Sequence, residues 1–286
     1  MLYSLYKFGS FLSRILPIKV CYFLAEVIAR LYFRVARCDK GFLRENLKVV
    51  LGDGVGQAEL DRHVRKVFIN FAKYLADFFK FSKLTEEDIY KCAEVVGRDH
   101  LDECLARGKG AVLLSAHLGN WELGGAAVSA MGYPLNAIVL EHADKRINGF
   151  FSRRRERNNL KTIPLGIKVK QCFKALAGNE FLAIVGDKDY SGSNRYVKFF
   201  GKKTYMPKGA AVISLRTGAP IVVTTVVRKK DDTFRLAFEQ PIFFDGSGDA
   251  DRDVELLMRQ YLEKIEKYIY QYPDQWYAFN RIWKQE

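Results

Sequence analysis

The sequence lacks the patterns that indicate a metal centre or a disulfide framework. Its 286 residues include five cysteines, none in a C-x-x-C pair, and four widely spread histidines without an H-E-x-x-H motif. Paired cysteines and closely spaced histidine ligands are the usual signatures of zinc sites. We therefore expect no metal and no other cofactor. The cysteines are interpreted as free thiols in a reducing compartment: Cys21, Cys38, Cys92, Cys104 and Cys172.

Long apolar runs are also missing. No stretch of about 18 uncharged apolar residues occurs, so the sequence does not predict a helix that spans a membrane. No cleavage site of small residues follows an apolar segment near the start of the chain, so we expect no signal peptide.

Acidic residues are scarce relative to basic ones. The chain has 46 lysines and arginines against 33 aspartates and glutamates, a formal net charge of +13. This charge predicts an acidic partner, which could be nucleic acid, an anionic membrane surface or an acidic carrier protein. The sequence carries no zinc finger, RNA-recognition signature or basic region with heptads, so we expect no nucleic-acid partner.

Residues 1–37 are both amphipathic and basic. Apolar residues recur at helical spacing on either side of Pro17, and the only acid is Glu26. The pattern predicts two amphipathic helices that lie in a membrane interface. The alternative is that these helices simply pack on the rest of the protein. The basic positions are Lys7, Arg14, Lys19, Arg30, Arg34 and Arg37.

Residues 38–286 are predicted to form a single domain of the α/β class. Residues 38–105 carry mainly helical patterns, whereas strands and helices alternate over 106–286, beginning at Ala111. Such alternation predicts a mixed, largely parallel sheet flanked by helices, with the helical N-terminal part packed on it. The predicted strands are 111–116, 135–140, 181–186, 220–228 and 234–240, the last two antiparallel. The predicted helices are 41–50, 57–81, 119–131, 144–157, 168–178, 207–217 and 251–271.

The segment from Val112 to Glu122 combines an apolar strand with a histidine, a Gly-Asn turn and a carboxylate. Five residues on one continuous helix span about 500°, so His117 and Glu122 would not share a helix face. They can meet if His117 ends the strand and Glu122 lies in the first turn of the next helix. A neutral imidazole oriented by a carboxylate is a general base. The alternative is a buried strand with a loop histidine and an ordinary first-turn glutamate.

Three other segments are candidate binding regions. The run from Lys145 to Arg157 is strongly basic, and its arginines could grip phosphate or carboxylate, although most charge runs are solvated helix faces. Asp187 and Asp189 follow an apolar strand, where α/β sheets place functional groups. An ion pair of Asp187 with a nearby Lys or Arg is the structural alternative. The third segment, 199–209, could line an acyl slot, cradle phosphates at a helix starting near Pro207, or plug the core with aromatic rings.

In order along the chain, these pieces resemble the bacterial lipid A biosynthesis acyltransferases, the lauroyl and myristoyl transferases. Nearly the whole chain takes part in the resemblance. The matching residues are Arg44-Glu45-Asn46-Leu47, His117 with Asn120-Trp121-Glu122, Arg155 and Arg157, Asp187-Lys188-Asp189-Tyr190, Phe199-Phe200-Gly201, Gly209, and the closing Tyr272-Pro273-Asp274-Gln275-Trp276-Tyr277 and Arg281-Ile282-Trp283-Lys284. Related acyltransferases that modify phosphatidylinositol mannosides share much of this pattern.

The resemblance implies a glycerolipid acyltransferase-like fold and a catalytic set of His117, Glu122 and Arg155, with Arg154 as the alternative arginine. The implied substrate-binding residues are Asn120, Trp121, Arg154, Arg157, Asp187, Asp189, Phe199, Phe200, Gly201, Lys208 and Gly209. The implied reaction moves an acyl group from an acyl carrier protein or acyl-CoA thioester to a hydroxyl of a lipid A precursor or related glycolipid. The implied location is the cytoplasmic face of the inner membrane, peripheral or monotopic. Other acceptors that fit are a lysophospholipid or a phosphatidylinositol mannoside. No serine nucleophile is required, and no G-x-S-x-G motif is present.

Overall fold

The N-terminal part of the chain is helical. The computed structural model describes residues 2–81, 83–166, 169–188 and 194–283. Pro17 separates the first two helices, and Gly52 ends the third with a φ of 85°. Thr85 begins the fifth with a capping box that it forms with Asp88. These helices are α1 (Leu2–Ile15), α2 (Ile18–Val35), α3 (Arg37–Leu51), α4 (Gln57–Lys80) and α5 (Glu86–Cys92).

Strands and helices then alternate, as the sequence predicts. The elements are β1 (Ala93–Val96), α6 (Arg98–Ala106), β2 (Ala111–Ser115), α7 (Trp121–Ala130), β3 (Leu135–Val139), α8 (Lys145–Arg157), β4 (Lys161–Pro164), α9 (Val169–Ala177), β5 (Phe181–Val185), β6 (Asn194–Phe199), β7 (Lys202–Pro207), α10 (Gly209–Thr217), β8 (Ile221–Arg228), β9 (Phe234–Phe238), α11 (Ala250–Gln271) and a 3-10 turn, Pro273–Gln275.

Seven of these strands form one mixed sheet in the order β1-β9-β8-β2-β5-β3-β4. All neighbours run parallel except β8 and β9, which are antiparallel as predicted. The strands β8, β2, β5, β3 and β4 therefore share one direction, and their carboxyl ends meet at one edge of the sheet. Side chains that follow β2 and β5, which are neighbours, lie close together there.

Both faces of the sheet are covered, which explains the nearly continuous apolar strands. Val112 and Leu114 of β2 face a core shared with α9, α10 and α11, whereas Leu113 faces a second core shared with α5, α6 and α7. This alternation along β2 gives the sheet two separate apolar surfaces at its carboxyl edge.

The α/β class and the five predicted strands are confirmed, but the structure also has short elements that the sequence does not predict. Strands β1, β4, β6 and β7 and helix α6 were not predicted, and β1 lies inside the span 38–105 that was predicted to be helical. The helix predicted near Pro207 is present and begins at Gly209, because Pro207 is the last residue of β7. Strand β7 pairs with β6 through a tight turn at Phe200 and Gly201, whose φ values of 49° and 72° are those of a two-residue hairpin.

Helices α1 and α2 form a hairpin that packs on α4 with one side only. Cys21, Tyr22 and Ala25 are buried against Ala76 of α4. The other side exposes large apolar residues between basic ones: Leu5, Phe8, Phe11, Ile15, Val20, Phe23, Leu24, Val27, Ile28, Leu31, Tyr32 and Val35. Among the described residues, no helix is long and apolar enough to cross a membrane.

The early and closing parts of the sequence pattern meet in space. The buried Asn46 donates from Nδ2 to the carbonyl oxygens of Ala278 and Asn280, and Arg281 forms a two-pronged ion pair with Glu45 at 2.7 and 2.8 Å. This fastens the C-terminal segment across α3, where it can support the carboxyl edge of the sheet.

Candidate active site

A tight turn carries His117 away from the end of β2. Gly119 has a φ of 62°, and a Cβ there would lie 1.8 Å from the carbonyl oxygen of Val226, so only glycine fits. The turn is clamped by backbone hydrogen bonds: Gly119 N–H donates to Gln275 O, Asn120 N–H donates to Val226 O, and Tyr277 N–H donates to His117 O, at 2.8–2.9 Å. The histidine therefore sits on a rigid support.

Asp187, after β5, holds the imidazole of His117. Its Oδ1 lies 2.6 Å from Nδ1 and also accepts the backbone N–H of His117 at 3.0 Å, while Oδ2 accepts the indole N–H of Trp276 at 2.9 Å. Burial opposes the charge of Asp187, but His117 and these hydrogen bonds lower the pKa of Asp187. An ionised carboxylate only accepts, so Nδ1 carries a hydrogen, and in the neutral imidazole the lone pair is on Nε2.

Glu122 differs from the sequence prediction in its partner. It lies in the first turn of α7, as expected, but its carboxylate takes both prongs of Arg155, with Nε at 3.0 Å and Nη2 at 2.5 Å. Glu122 is therefore not the residue that orients Nδ1 of His117. Glu122 is close to His117 in sequence. The carboxylate that orients His117 belongs instead to Asp187, which follows the neighbouring strand β5 and is 70 residues away.

The Glu122–Arg155 pair joins α7 to α8 beside the same cavity that His117 lines. Both side chains are largely buried, at 10% and 14% exposure. Burial acts against the charge of Arg155, yet Glu122 and their hydrogen bonds raise the pKa of Arg155. The guanidinium is thus a fixed cation with a fixed orientation.

The other two arginines predicted at the site, Arg154 and Arg157, do not line the large cavity. Arg154 is buried and donates to the carbonyl oxygen of Phe78 at 2.7 Å and to Oγ of Ser10 at 2.6 Å, so it fastens helices together and does not line the large cavity. Arg157 is exposed near the end of α8. Of these arginines, Arg155 alone is a lining residue.

Asn120 and Trp121 have distinct positions. Asn120 is buried and caps α7, with Oδ1 accepting from the N–H of Leu123 and Nδ2 donating to Asp77. It therefore shapes the turn and does not line the large cavity. Trp121 does line it, with its ring 5.1 Å from the imidazole of His117 and stacked 4.4 Å from Tyr74.

The segment 199–209 mostly supports the site from behind. Phe199 is fully buried and packs against Trp276 and Trp283. Its ring therefore fills the core, as one of the alternatives for this segment predicts. Phe200 and Gly201 form the hairpin turn, and Lys208 is the residue immediately before α10, with no capping hydrogen bond from its side chain. Gly209 is the residue of the predicted set that lines the cavity here. Asp189 lies outside the described residues.

A cavity of about 670 Å³ opens beside His117, within the size range of small-molecule sites. It reaches both faces of the sheet around its carboxyl edge. One arm lies against α7, between Leu113, Gly124, Gly125, Val128, Ala137, Leu160 and Ala183, which are mostly buried. The other lies against α9 and α10, between Ile138, Val169, Cys172, Phe173, Ile184, Ala210, Val212, Ile213 and the exposed Arg216. Both arms are apolar enough to take an alkyl chain.

Lys188 and His142 also line the cavity, although the sequence predicts a role at the site for neither of them. Lys188 donates from Nζ to the carbonyl oxygen of Tyr277 at 2.8 Å, and burial lowers the pKa of Lys188 although Asp187 opposes this. His142 lies over Phe151, with ring centroids 4.9 Å apart. Lys188 directly follows the predicted Asp187, so its place after β5 was an available signal. Among the described residues, no group of three or more histidine, cysteine or carboxylate side chains could hold a metal ion.

Comparison with known proteins indicates the family of the chain. The family model described as bacterial lipid A biosynthesis acyltransferase matches residues 1–285. A phosphatidylinositol mannoside acyltransferase of Mycolicibacterium smegmatis is 25% identical over 245 residues, which cover 84% of this chain and 78% of that protein. The protein of the same name from Mycobacterium tuberculosis is 28% identical over 189 residues, covering 64% of this chain and 59% of that protein.

Proposed function

The chain belongs to the bacterial lipid A biosynthesis acyltransferase family, and we propose that it transfers a fatty acyl group from an acyl thioester to a hydroxyl of a glycolipid, with His117 as general base. The observation that carries the proposal is the His117–Asp187 contact at the edge of an apolar cavity. A neutral Nε2, a route for an alkyl chain and an orienting carboxylate are what this reaction needs.

The reaction follows from the residues. Nε2 of His117 accepts the proton of the acceptor hydroxyl as its oxygen attacks the thioester carbonyl carbon. Asp187 stabilises the imidazolium that forms. Collapse of the tetrahedral intermediate breaks the carbon–sulfur bond, and His117 returns the proton to the thiolate. The products are an ester and a free thiol, so no covalent acyl-enzyme is needed.

Arg155 and Glu122 have a positioning role on the acceptor side of this mechanism. Their fixed ion pair lies beside Trp121 and presents a planar, permanently charged group to the cavity. A guanidinium oriented in this way suits a phosphate or a sugar hydroxyl of a lipid head group.

Two kinds of glycolipid and one other class of lipid are candidate acceptors. A lipid A precursor fits the family, whereas the two mycobacterial relatives are named for phosphatidylinositol mannosides. A lysophospholipid is a third acceptor of the same chemistry. The donor is an acyl carrier protein or coenzyme A thioester. Both carry phosphates that exposed basic residues such as Arg216 and Lys174 could attract.

The hairpin of α1 and α2 supports membrane attachment. It combines exposed apolar residues with the exposed Lys7, Arg14, Lys19, Arg30 and Arg34, and the exposed Arg37 follows at the start of α3, a composition suited to an anionic interface. We place the protein at the cytoplasmic face of the inner membrane, peripheral or monotopic, where both a lipid acceptor and a cytoplasmic thioester are available.

Mass spectrometry of lipids tests the function. Cells that express the chain should contain a lipid with one added acyl mass, and cells that express His117→Ala should not. The mass of that lipid identifies the acceptor, and purified protein with each thioester identifies the donor. Release of free fatty acid without any acylated lipid, with the acceptor present, would show a thioester hydrolase instead. Tighter binding of a generic oligonucleotide than of anionic vesicles, at physiological salt, would favour a nucleic-acid-binding protein.

A further inference from the structure

A buried carboxylate lies where the N-terminal hairpin, the sheet and the turn after β2 meet. Asp77 of α4 is fully buried, and three side chains donate to it. Tyr22 of α2 donates to Oδ1 at 2.5 Å, Asn120 donates to Oδ2 at 2.9 Å, and Arg228 at the end of β8 also donates to Oδ2. Hydrogen bonds to a buried charge are strong and costly to break. Asp77 therefore links α2, through Tyr22, to the turn that carries His117, through Asn120.

Asn120 connects Asp77 to the active site. Its side chain bonds Asp77 through Nδ2 and caps α7 through Oδ1, which accepts the N–H of Leu123 at 3.0 Å. The first turn of α7 carries Trp121 and Glu122, both of which line the cavity. The orientation of one amide thus depends on Asp77 and sets the start of α7.

The first helix of the hairpin has its own link. Ser10 of α1 accepts from Nη2 of Arg154 at 2.6 Å, and Arg154 precedes Arg155, the partner of Glu122. Tyr6, one turn earlier on α1, lines the large cavity. Both hairpin helices therefore reach residues adjacent to the reacting groups.

We propose that the α1–α2 hairpin is a positioning element of the active site, and that Tyr22, acting through Asp77 and Asn120, sets the geometry of the turn from His117 to Glu122. The inference rests on the proposed acyl transfer at His117. It gives the hairpin a role beyond attachment, because its placement on α4 affects the chemical step even when no membrane is present.

The test compares Tyr22→Phe with Tyr32→Phe. Both tyrosines lie on α2 and both donate to an aspartate, but Tyr32 bonds the distant Asp39 at 3.0 Å on the protein surface. Acyl transfer is measured in detergent, with water-soluble short-chain acyl thioesters. We expect Tyr22→Phe to lower kcat by roughly 3- to 30-fold, less than the roughly 10²- to 10⁴-fold loss of a general base, with little change in the donor KM. Tyr32→Phe should keep the kcat of the wild type. A wild-type kcat for Tyr22→Phe would overturn the inference.

Amide hydrogen exchange provides a readout that does not depend on turnover. Tyr22→Phe should speed exchange at the N–H of Leu123, which is bonded to Asn120, whereas Tyr32→Phe should not. Unchanged exchange at Leu123 would contradict the inference even if acyl transfer were never observed. If the wild type transfers no acyl group but exchange rises as expected, the proposed function fails and the positioning link stands.

Vesicle binding and a second variant separate positioning from attachment. Both tyrosine variants should co-sediment with phosphatidylglycerol vesicles as the wild type does. A fall in kcat that follows a fall in vesicle binding would show that the hairpin is only an anchor.

Ser10→Ala removes the acceptor for Arg154 and should lower kcat, as Tyr22→Phe does. A kcat loss that disappears at low temperature would instead indicate a purely structural effect and overturn the proposal.

Discussion

Asp187 accepts two hydrogen bonds from His117, one from the ring Nδ1 at 2.6 Å and one from the backbone N–H at 3.0 Å. A carboxylate that binds both parts of one residue fixes the ring direction as well as the tautomer. The indole of Trp276 holds the second oxygen of Asp187, and Phe199 packs behind that indole. The orientation of His117 therefore depends on a chain of buried contacts that begins well away from its imidazole.

Replacement of Asp187 by Asn should abolish most of the turnover without unfolding the protein. An amide is uncharged, so it stabilises an imidazolium poorly, and its NH2 can donate to Nδ1 and favour the other tautomer. We therefore expect kcat to fall by roughly 10²- to 10⁴-fold. His117→Ala should cost as much, and the double variant little more, because the two residues act as a unit. Steady-state acyl transfer measures this. Asp253→Asn, at another buried aspartate that accepts from Ser247, is the control and should keep its kcat. Wild-type turnover by His117→Ala would remove the catalytic assignment.

The same aspartate predicts how stability depends on pH. Because the pKa of Asp187 is lower in the folded protein than the ordinary value of about 3.9, its contribution to the free energy of unfolding is complete above that value. The contribution is lost as the pH falls through the range between the two pKa values. The stability difference between wild type and Asp187→Asn, from urea unfolding, should therefore shrink from pH 6 to pH 3. A difference that grows toward acid would contradict the assigned direction.

The sequence predicts His117 better than it predicts the partner of His117. An apolar strand that ends in a histidine and a glycine turn is a local pattern, so the position of His117 at the end of β2 followed from residues 112–122. The contact with Asp187 depends on β2 and β5 being neighbours in the sheet, and strand order is set by packing of the whole chain. The sequence placed Asp187 after a strand, but nothing local indicated which strand lies beside it.

The missed secondary structure has a comparable cause. β1 and β4 have only four residues each, and β6 and β7 mix charged, polar and aromatic residues on a hairpin that is only partly buried. Such strands are stabilised by their partners more than by their own composition. The Asp77 cluster was missed for the same reason, since Tyr22, Asn120 and Arg228 come from distant parts of the chain and meet only in the folded protein.

Arg155 and Arg157 should respond differently to replacement by lysine. Arg155 donates two parallel hydrogen bonds to the carboxylate of Glu122, and both side chains are largely buried. The ammonium group of a lysine cannot reproduce this paired geometry. Arg155→Lys should raise the acceptor KM or lower kcat by roughly tenfold or more, and Glu122→Gln should act in the same direction. The exposed Arg157→Lys is the matched control and should behave as the wild type. Acyl transfer at varied acceptor concentration decides this, and equal kinetics for the two lysine variants would show that the pair is only structural.

Membrane attachment should depend on the outer side of the hairpin. Phe11→Gln, Phe23→Gln and Ile28→Gln together remove apolar side chains that are largely exposed, so the fold should tolerate them. The triple variant should lose most of its binding to phosphatidylglycerol vesicles, and high salt should weaken binding of the wild type. Tyr90→Gln with Tyr270→Gln, at exposed apolar residues elsewhere, is the control. Unchanged co-sedimentation of the triple variant would show that the hairpin is not the membrane surface.

The arm of the cavity against α7 should set the length of the transferred acyl chain. Gly125 lies on α7 and lines this arm, and a Cβ there would lie 3.2 Å from Cδ2 of Leu160, so Gly125→Ala narrows the arm while leaving the helix intact. We expect Gly125→Ala to shift the preferred donor toward shorter chains and Val128→Ala, which widens the same arm, to shift it toward longer ones. Ala210→Val narrows the opposite arm, against α9 and α10, and should leave the preference unchanged. Competition among thioesters of graded chain length, with products resolved by mass spectrometry, measures the shift. A change with Ala210→Val but none with Gly125→Ala would place the acyl chain on the other face of the sheet.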